Sequence, residues 1–308
     1  MTRACSHLLF WLLVFHCFTP LLAQHETPWL SLNRLSLSFQ SSYHFRPWDL
    51  YNHSLGLVQD ALRYDPAYKN PEGSLQKITG DGSLEFSASY RLVAGLAFES
   101  FGGYTMTGSS SSITDVRTPT STTQTTQDLS LLISEYGVGA RYFYDVGSGI
   151  ALSAFARLSR AEGKITYQYV FDPPWSTIHL FDATLRAAST TARIGLGSEM
   201  ILVDHVKVTL AVEYRWLKFI EFRGPAKETY RDVQSSFEAE WAFHGRLVEI
   251  RGSFFGLDAV ESPHPPNSHL LHTLWNRTEL YPFWWGNTRP AAWDLSSVGA
   301  KFGVVYEF

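Results

Sequence analysis

Charged residues recur at every second position along several segments of this chain, where carboxylates and cationic side chains could pair. The acidic set is Glu85, Glu99, Glu135, Glu199, Glu213, Glu238, Glu240 and Glu249, and the basic set is Arg91, Arg141, Arg157, Arg193, Lys207, Arg215, Arg251 and Lys301. Residues two apart on a strand lie on the same face, and ions removed from water need partners of opposite charge. The pattern predicts an enclosed ion network. The alternative is the wet side of a one-sided sheet.

A second group of chemically useful residues is a cluster of aromatic side chains between residues 259 and 293. Trp275, Tyr281, Trp284 and Trp285 lie there beside several prolines. An exposed aromatic cluster can bind sugars, lipids or a partner protein, and it can also pack on its neighbours or rest on a membrane surface. We treat these four residues as candidates for ligand binding in a loop.

Composition limits the classes of function. The chain has 25 Lys and Arg against 29 Asp and Glu, a net charge of −4, with 15% aromatic residues and only two cysteines. Mild acidity argues against broad nucleic-acid binding, which needs a basic face. After the first residues no apolar run is long enough for a membrane helix. An aromatic-rich chain of this kind is either a globular protein or a closed barrel.

Ten segments alternate between apolar and polar residues with a period of two, which is typical of strands with one apolar face. They lie near 30–45, 82–92, 94–107, 130–145, 150–170, 180–202, 206–216, 232–244, 247–258 and 298–308. The polar faces carry the charged residues together with Gly137, Gly139, Gly195, Gly197, Gly299 and Gly303. Glycine weakens a strand, so its recurrence beside Arg and Glu indicates crowding on that face.

The connections between these segments alternate in length. Tight links are expected at Leu92-Val93, Asp145 to Gly149, Val203 to His205 and Gly245-Arg246. Longer links are expected near 46–81, 108–128, 171–179, 223–231 and 259–293. Short turns on one rim and long loops on the other are typical of transmembrane barrels, whose turns face the periplasm.

The last segment, from Val298 to Phe308, places an aromatic residue at the end of an alternating strand. In this it resembles the last strand of bacterial outer-membrane β-barrels, whose aromatic C-terminus is recognised by the assembly machinery. The resemblance implies that Tyr306 and Phe308 form an assembly signal, with the barrel-assembly machinery and periplasmic chaperones as partners. Because lipid cannot hydrogen-bond to backbone groups, such strands must close on themselves. The expected fold is all-β: a closed antiparallel transmembrane β-barrel of about ten strands, with eight or twelve as alternatives.

The first residues agree with export. Arg3 precedes an apolar run from Leu8 to Phe18, and Ala23 is a small residue before a polar stretch. This order describes a secretory signal peptide. We predict a signal peptide over 1–23 and one outer-membrane barrel domain over 24–308, with a membrane anchor as the alternative for the first segment. Cleavage would remove both Cys5 and Cys17.

Enzymatic chemistry has little support in the sequence. No Gly-rich phosphate loop, His-Glu-x-x-His or Gly-x-Ser-x-Gly occurs. Omptin proteases, which also have ten strands, use acids and a histidine at the outer rim. The comparable residues Asp172, His179, Asp182, Asp258 and His264 do not reproduce the spacing of that family. We therefore expect no catalytic residue, no metal ligand and no cofactor.

These observations predict an integral protein of the bacterial outer membrane, in contact with its lipid and with no nucleic-acid partner. Its function is predicted to be that of a narrow channel or uptake protein for small molecules, with a charged and largely filled lumen. The alternative is a surface-binding or structural barrel that meets a ligand through its loops. A membrane-embedded hydrolase ranks last. The candidate lumen residues are Glu85, Arg91, Glu99, Glu135, Arg141, Arg157, Arg193, Glu199, Glu213, Arg215, Glu238, Glu240, Glu249, Arg251 and Lys301.

Overall fold

The protein is almost entirely β-structure. The computed structural model describes residues 34–45, 52, 71–74, 76–78, 80–93, 95–118, 121–172, 177–232, 234–235, 237–250, 254–259, 269–270 and 288–308. Its strands are β1 (Leu35–Phe45), β2 (Pro71–Ser74), β3 (Gly80–Val93), β4 (Leu96–Thr118), β5 (Ser121–Gly147), β6 (Ile150–Asp172), β7 (Thr177–Val203), β8 (Val206–Trp216), β9 (Lys218–Phe219), β10 (Arg223–Asp232), β11 (Glu238–Ile250), β12 (Phe254–Ala259), β13 (His269–Leu270), β14 (Thr288–Pro290), β15 (Trp293–Asp294) and β16 (Ser297–Glu307). Among the described residues, no helix combines the length and the hydropathy that crossing a membrane requires.

Eight of these strands form a closed antiparallel ring. The order is β1, β3, β4, β5, β6, β7, β8 and β16, and β16 pairs back to β1. The ladder of paired residues that starts at Leu35 passes through Tyr90, Phe98, Ala140, Ala156, Ile194, Tyr214 and Val298 and returns to Phe45. One circuit therefore climbs from one end of β1 to the other, which is the stagger that a tilted, closed barrel requires.

The outer surface of the ring is apolar. Phe86, Val138, Leu158 and Leu196 each expose more than 60% of their surface, a condition that is unfavourable in water over so large a continuous area. Aromatic residues mark two levels of this belt. Tyr43, Tyr104, Tyr136, Tyr214 and Trp216 lie toward the rim with long connections, and Tyr90, Tyr142, Tyr144, Tyr306 and Phe308 lie toward the turns. The belt has the form of a lipid-facing band with two aromatic girdles.

Beyond one rim the sheet continues as an open extension. β7 pairs with β8 between Val203 and Ala192. Nearer its beginning, between Thr177 and Arg186, it pairs with β10. β11, β12 and β13 follow β10 in order, while β2 pairs with the far end of β4. β4 to β7 thus run out of the ring and become the centre of a second, open region, which we call the extension.

The predicted fold class is confirmed, and the ring has eight strands, the lower alternative to ten. The predicted eighth and ninth segments belong to the extension, because β8 and β16 pair directly and close the ring without them. The predicted turn at Gly245-Arg246 is wrong, since β11 runs through it. The predicted loops 108–128 and 171–179 are largely strand, and 223–231 is β10. Their Ser, Thr and Gly-Pro content hides the alternation, but pairing to long neighbours keeps them extended.

Candidate functional site

The interior of the ring holds a compact group of buried charges that alternate with the exposed apolar residues. We call it the ionic cluster; its members are Asp81, Glu85, Glu99, Glu135, Arg141, Arg157, Arg193, Glu199, Glu213, Arg215 and Lys301, all at most 5% exposed. They come from seven of the eight ring strands. The period of two brings them to one face of each strand, and ring closure brings the faces together.

Arg157 on β6 lies at the centre of this cluster. Its Nε and Nη2 groups donate to the two carboxylate oxygens of Glu99 at 2.5 and 2.9 Å, and its Nη1 group donates to Glu85. Two parallel hydrogen bonds between a guanidinium and a carboxylate form the strong, oriented version of an ion pair. Arg157 therefore joins β6 to β3 and β4 across the lumen.

Arg193 on β7 makes a second bidentate contact with the carboxylate of Glu135 on β5. Its Nη1 atom also lies 3.0 Å from Oε2 of Glu85 and 3.2 Å from Oε1 of Glu213. Lys301 Nζ lies 3.0 Å from the same Glu85 oxygen and 2.8 Å from Glu213 Oε2. Glu85 and Glu213 are thus shared acceptors that join cations from different strands.

The two ends of the cluster are bonded more loosely. Toward the turns, Arg141 reaches Glu199 and Glu99 at 3.3 Å each. Toward the extension, Arg215 donates to Thr105 Oγ1 at 3.1 Å, with its nearest carboxylates, Asp81 and Glu135, at 3.7 and 3.8 Å. Arg215 is fully buried and has lost its hydration. Its ion-pair distances are longer than those of the other cations in the cluster, so ion pairing offsets its desolvation least.

Aromatic rings and glycines on the inner face complete the packing. Phe101 and Phe155 each lie 4.8 Å from the guanidinium carbon of Arg157, and Arg141 lies 5.1 Å from the ring of Phe155. A Cβ on Gly139 would lie 2.6 Å from Cγ of Arg157. The absence of a side chain at Gly139 is therefore what lets Arg157 extend across β5.

Several predicted lumen residues lie elsewhere. Arg91 is at the turn-side mouth with its side chain 43% exposed, near Glu307. The placement of Glu238 and Glu240 in the lumen is wrong. They lie on β11 in the extension, outside the ring, and pair with Arg231 and Lys227. Tyr306 and Phe308 lie at the turn-side end of β16. The side chain of Glu249, and the residues Arg251, Trp275, Tyr281, Trp284 and Trp285, fall outside what the structure describes, as does the predicted signal peptide.

Two members of the interior were missed from the sequence. Asp81 is 2% exposed and His44 is fully buried, with His44 Nε2 at 3.5 Å from Glu213 Oε1. Both have the parity of the polar face of their strand, so extending the alternation from Ser42 to His44 on β1 and from Glu85 to Asp81 on β3 would have found them. The cluster contains six carboxylates against five cationic side chains, and the imidazole of His44 lies beside one of these carboxylates, that of Glu213.

A layer of apolar side chains lies over the cluster on the side of the extension. Leu217, Phe219, Phe222, Trp293 and Leu295, all from the connection between β8 and β16, pack on the inner faces of β5 to β7. We call these five residues the apolar cover. Backbone hydrogen bonds hold it in place, from Leu295 N to Leu217 O at 2.7 Å and from Leu247 N to Phe222 O at 2.9 Å. The lumen is thus filled by the ionic cluster within the ring and by the apolar cover on the side of the extension.

The residues considered for hydrolysis do not assemble where the structure describes them. His179 faces inward and bonds to Glu228 Oε1 at 2.7 Å, with the Tyr230 ring stacked on it at 4.5 Å. Asp172 and Asp182 are exposed on the opposite face, and His264 lies outside the described residues. Among the described residues, no group of three or more metal-ligating side chains forms a metal site.

Comparison with known proteins gives a fold-level likeness. No family model and no curated protein matches the chain. Solved structures that are similar include Neisserial surface protein A (12% identity, TM-score 0.35, 89% of this chain and 97% of that one), a major outer membrane protein from Thermus thermophilus (9%, 0.37, 89% and 99%) and OprG from Pseudomonas aeruginosa (9%, 0.35, 89% and 95%).

The chain is therefore similar to bacterial outer-membrane β-barrel proteins without matching a specific family. The scores are low, so the fold assignment depends on the strand pairing of this chain itself. Nothing about activity or ligands follows from the likeness.

Proposed function

We propose that the protein is an integral β-barrel of the bacterial outer membrane, with a closed lumen that anchors the extension on the cell surface as a structural or ligand-binding platform. The observation that carries this proposal is the combination of an apolar exterior with an interior occupied by the ionic cluster and its apolar cover. Transport would need a passage along the axis. Surface binding needs only a firm anchor.

Support for the membrane location comes from the height of the belt. Tyr142 and Tyr136 are six residues apart on the outer face of β5, and Tyr306 and Val298 are eight apart on β16. At about 3.3 Å per residue and a tilt of roughly 40°, these pairs lie some 15–20 Å apart along the barrel axis, somewhat less than the apolar band of roughly 25 Å that outer-membrane barrels present. The tight turns then face the periplasm and the extension faces outward.

Support for a closed lumen comes from the energetics of the cluster. Each buried charge has lost its hydration, and the contacts to Glu85, Glu99, Glu135 and Glu213 replace it. Separating these ions to open a path would expose unpaired charges in a confined space, at a cost of several kcal/mol for each. Narrow barrels are generally filled by side chains in this way.

A narrow channel is the second candidate, and one feature favours it. A small recess at the turn-side mouth is lined by Arg34, Arg91, Glu199 and Glu307, so polar groups lead from the periplasmic side toward Arg141. In that case the cluster would have to act as a gate that rearranges, and the apolar cover would have to move with it.

Two measurements on the purified chain test the proposal. Unheated protein should migrate differently from heated protein on a denaturing gel, and planar bilayers containing it should show no stable openings. A chain that is monodisperse without detergent would contradict the membrane barrel. Large, regular conductance steps would contradict the closed lumen and favour the channel.

A third measurement addresses the extension. Protease added to intact cells should cut within the extension and leave a protected fragment that contains the ring strands. A protease-resistant extension that becomes accessible only after cell lysis would place it on the periplasmic side and overturn the proposed orientation.

A further inference from the structure

Three cations lie side by side on the outer face of the sheet, just beyond the apolar belt. Lys164 on β6 is the ladder partner of Arg186 on β7, and Arg186 is the partner of Arg223 on β10. All three side chains are exposed. We call Lys164, Arg186 and Arg223 the basic row. Arg246 on β11, the partner of Arg223, continues its line.

This arrangement is unfavourable unless something anionic offsets it. Like charges directly opposite one another on neighbouring strands destabilise a sheet. Glu221 lies 2.8 Å from Arg223 and 3.7 Å from Arg246. Among the described residues, no carboxylate lies within ion-pairing distance of Lys164 or Arg186. The end of the row nearest the belt therefore keeps an excess of positive charge.

Cations further out on the same face are paired differently. Lys227 Nζ lies 2.7 Å from Glu240, and Arg231 lies 3.3 Å from Glu238. The hydrogen bond with Glu240 raises the pKa of Lys227. Asp182, four residues further out than Arg186 on β7, adds a negative charge near this upper level. Among the described residues, the lack of a carboxylate partner on this face is thus a local property of Lys164 and Arg186.

The height of the row indicates what it could meet. Arg160, four residues before Lys164 on β6, is the ladder partner of Tyr136 in the outer girdle. Lys164 is then roughly 10 Å further from the hydrocarbon, given the rise and tilt of barrel strands. The headgroup layer of an ordinary bilayer is only about 5–7 Å thick, which is less than this height. Long basic side chains at this level can still reach down into it. A headgroup built from sugars extends further.

We propose that the basic row binds the phosphorylated saccharide headgroup of an outer-leaflet glycolipid, with a phosphate held between Lys164 and Arg186 and a second contact from Arg223. Guanidinium groups bind phosphate oxygens in a bidentate manner, and a lysine adds a point charge. The proposal depends on the outer-membrane location proposed above. The bound glycolipid would lie on one side of the barrel, against β6, β7 and β10.

The test compares two double variants in non-ionic detergent micelles. Lys164→Gln/Arg186→Gln removes two cations from the basic row, and Lys227→Gln/Arg231→Gln removes two paired cations from the same face. Binding of a bisphosphorylated, acylated glucosamine disaccharide is measured by native mass spectrometry and by titration. The row variant should bind about tenfold more weakly or worse, because each lost charged hydrogen bond is sufficient for such a change. The control should stay within about twofold of the parent protein.

The ligand arms separate the possible sources of the phosphate. The same disaccharide lacking its phosphates should bind much more weakly, and added salt should weaken binding of the phosphorylated form. Equal binding of both lipids, or equal losses in the two variants, would overturn the proposal. Inorganic phosphate that competes as well as the glycolipid would also overturn it, because the site would then recognise a free anion.

The gel assay keeps this inference separate from the proposed function. A row variant that keeps its heat-dependent gel shift but binds the glycolipid as tightly as the parent protein contradicts the basic row alone. A parent protein without any gel shift contradicts the membrane barrel on which the inference rests.

Discussion

Lys301 places its Nζ 3.0 Å from Oε2 of Glu85, although the two residues are 216 positions apart in the chain. β1 separates their strands in the ring, so the contact bridges β1 on the inner face of the barrel. The carboxylate of Glu85 also forms ion pairs with Arg157 and Arg193. Glu85 is therefore the point at which cations from β6, β7 and β16 meet.

The first prediction follows from this sharing. Glu85→Gln keeps the shape of the side chain but leaves three buried cations without a common counter-charge. We expect the free energy of unfolding to fall by about 3–5 kcal/mol, as is typical when one partner of a buried ion pair is removed. Urea unfolding in lipid vesicles, followed by the gel shift, measures the change.

Glu162→Gln provides the control for this experiment. Glu162 lies on the outer face of β6 with its side chain 54% exposed and pairs with Arg160 at 3.5 Å. An exposed pair of this kind contributes between about 0 and 1 kcal/mol. Similar losses in the two variants would show that the cluster does not stabilise the barrel through paired charge.

The second prediction compares two fully buried arginines. Arg157→Met removes three charged hydrogen bonds and exposes Glu85 and Glu99 to each other. Arg215→Met removes a guanidinium whose only described hydrogen bond is to Thr105 and whose nearest carboxylates lie at 3.7 and 3.8 Å, so the carboxylates that stay buried lose less ion pairing than they do in Arg157→Met. We expect Arg157→Met to be destabilised by at least about 2 kcal/mol more than Arg215→Met in the same urea assay. The opposite order of stability losses would mean that Arg215 interacts more strongly with its neighbours than its distances to them indicate.

The sequence predicts the inner face well because a strand has only two faces. Once Val206, Val208 and Leu210 define the outer side of β8, the position of Glu213 and Arg215 follows by parity alone. The same rule extends to His44 and Asp81. Which carboxylate meets which cation is set by the stagger of the ring, and that stagger depends on which strands close it.

The strand count was harder to predict because alternation does not say which strands are neighbours. The first part of β11, from Glu238 to His244, alternates as clearly as the ring strands do, yet it pairs with β10 beyond the rim. β10 itself begins Arg-Gly-Pro at Arg223, and those residue types normally indicate a loop. Long-range pairing to β7 overrides that local preference. A period of two therefore gives the faces of a barrel protein without giving its ring.

The third prediction concerns Gly139, whose lack of a side chain makes room for Arg157. In Gly139→Ala the new Cβ would lie 2.6 Å from Arg157 Cγ and 2.7 Å from the Ala156 carbonyl oxygen. Overpacking of this kind costs about 1–3 kcal/mol. The matched control is Gly82→Ala on the outer face of β3, where nothing lies within 4 Å of the new atom. That variant should be neutral or slightly stabilised, since alanine loses less backbone entropy on folding. Equal stability of both variants, by urea unfolding, would contradict the close packing of Arg157 on β5.

The fourth prediction concerns the apolar cover. The ring of Phe222 lies 5.1 Å from Phe219 and 5.6 Å from Trp293, and Phe222 is fully buried. Phe222→Ala should lower stability by about 3–5 kcal/mol if the surroundings do not collapse. The loss should fall on the extension, since the ring strands keep their ladders and the ionic cluster. We therefore expect faster proteolysis of the extension with an unchanged gel shift of the barrel, and still no stable conductance. Stable openings in Phe222→Ala alone would show that the cover, and not the ionic cluster, is what closes the lumen.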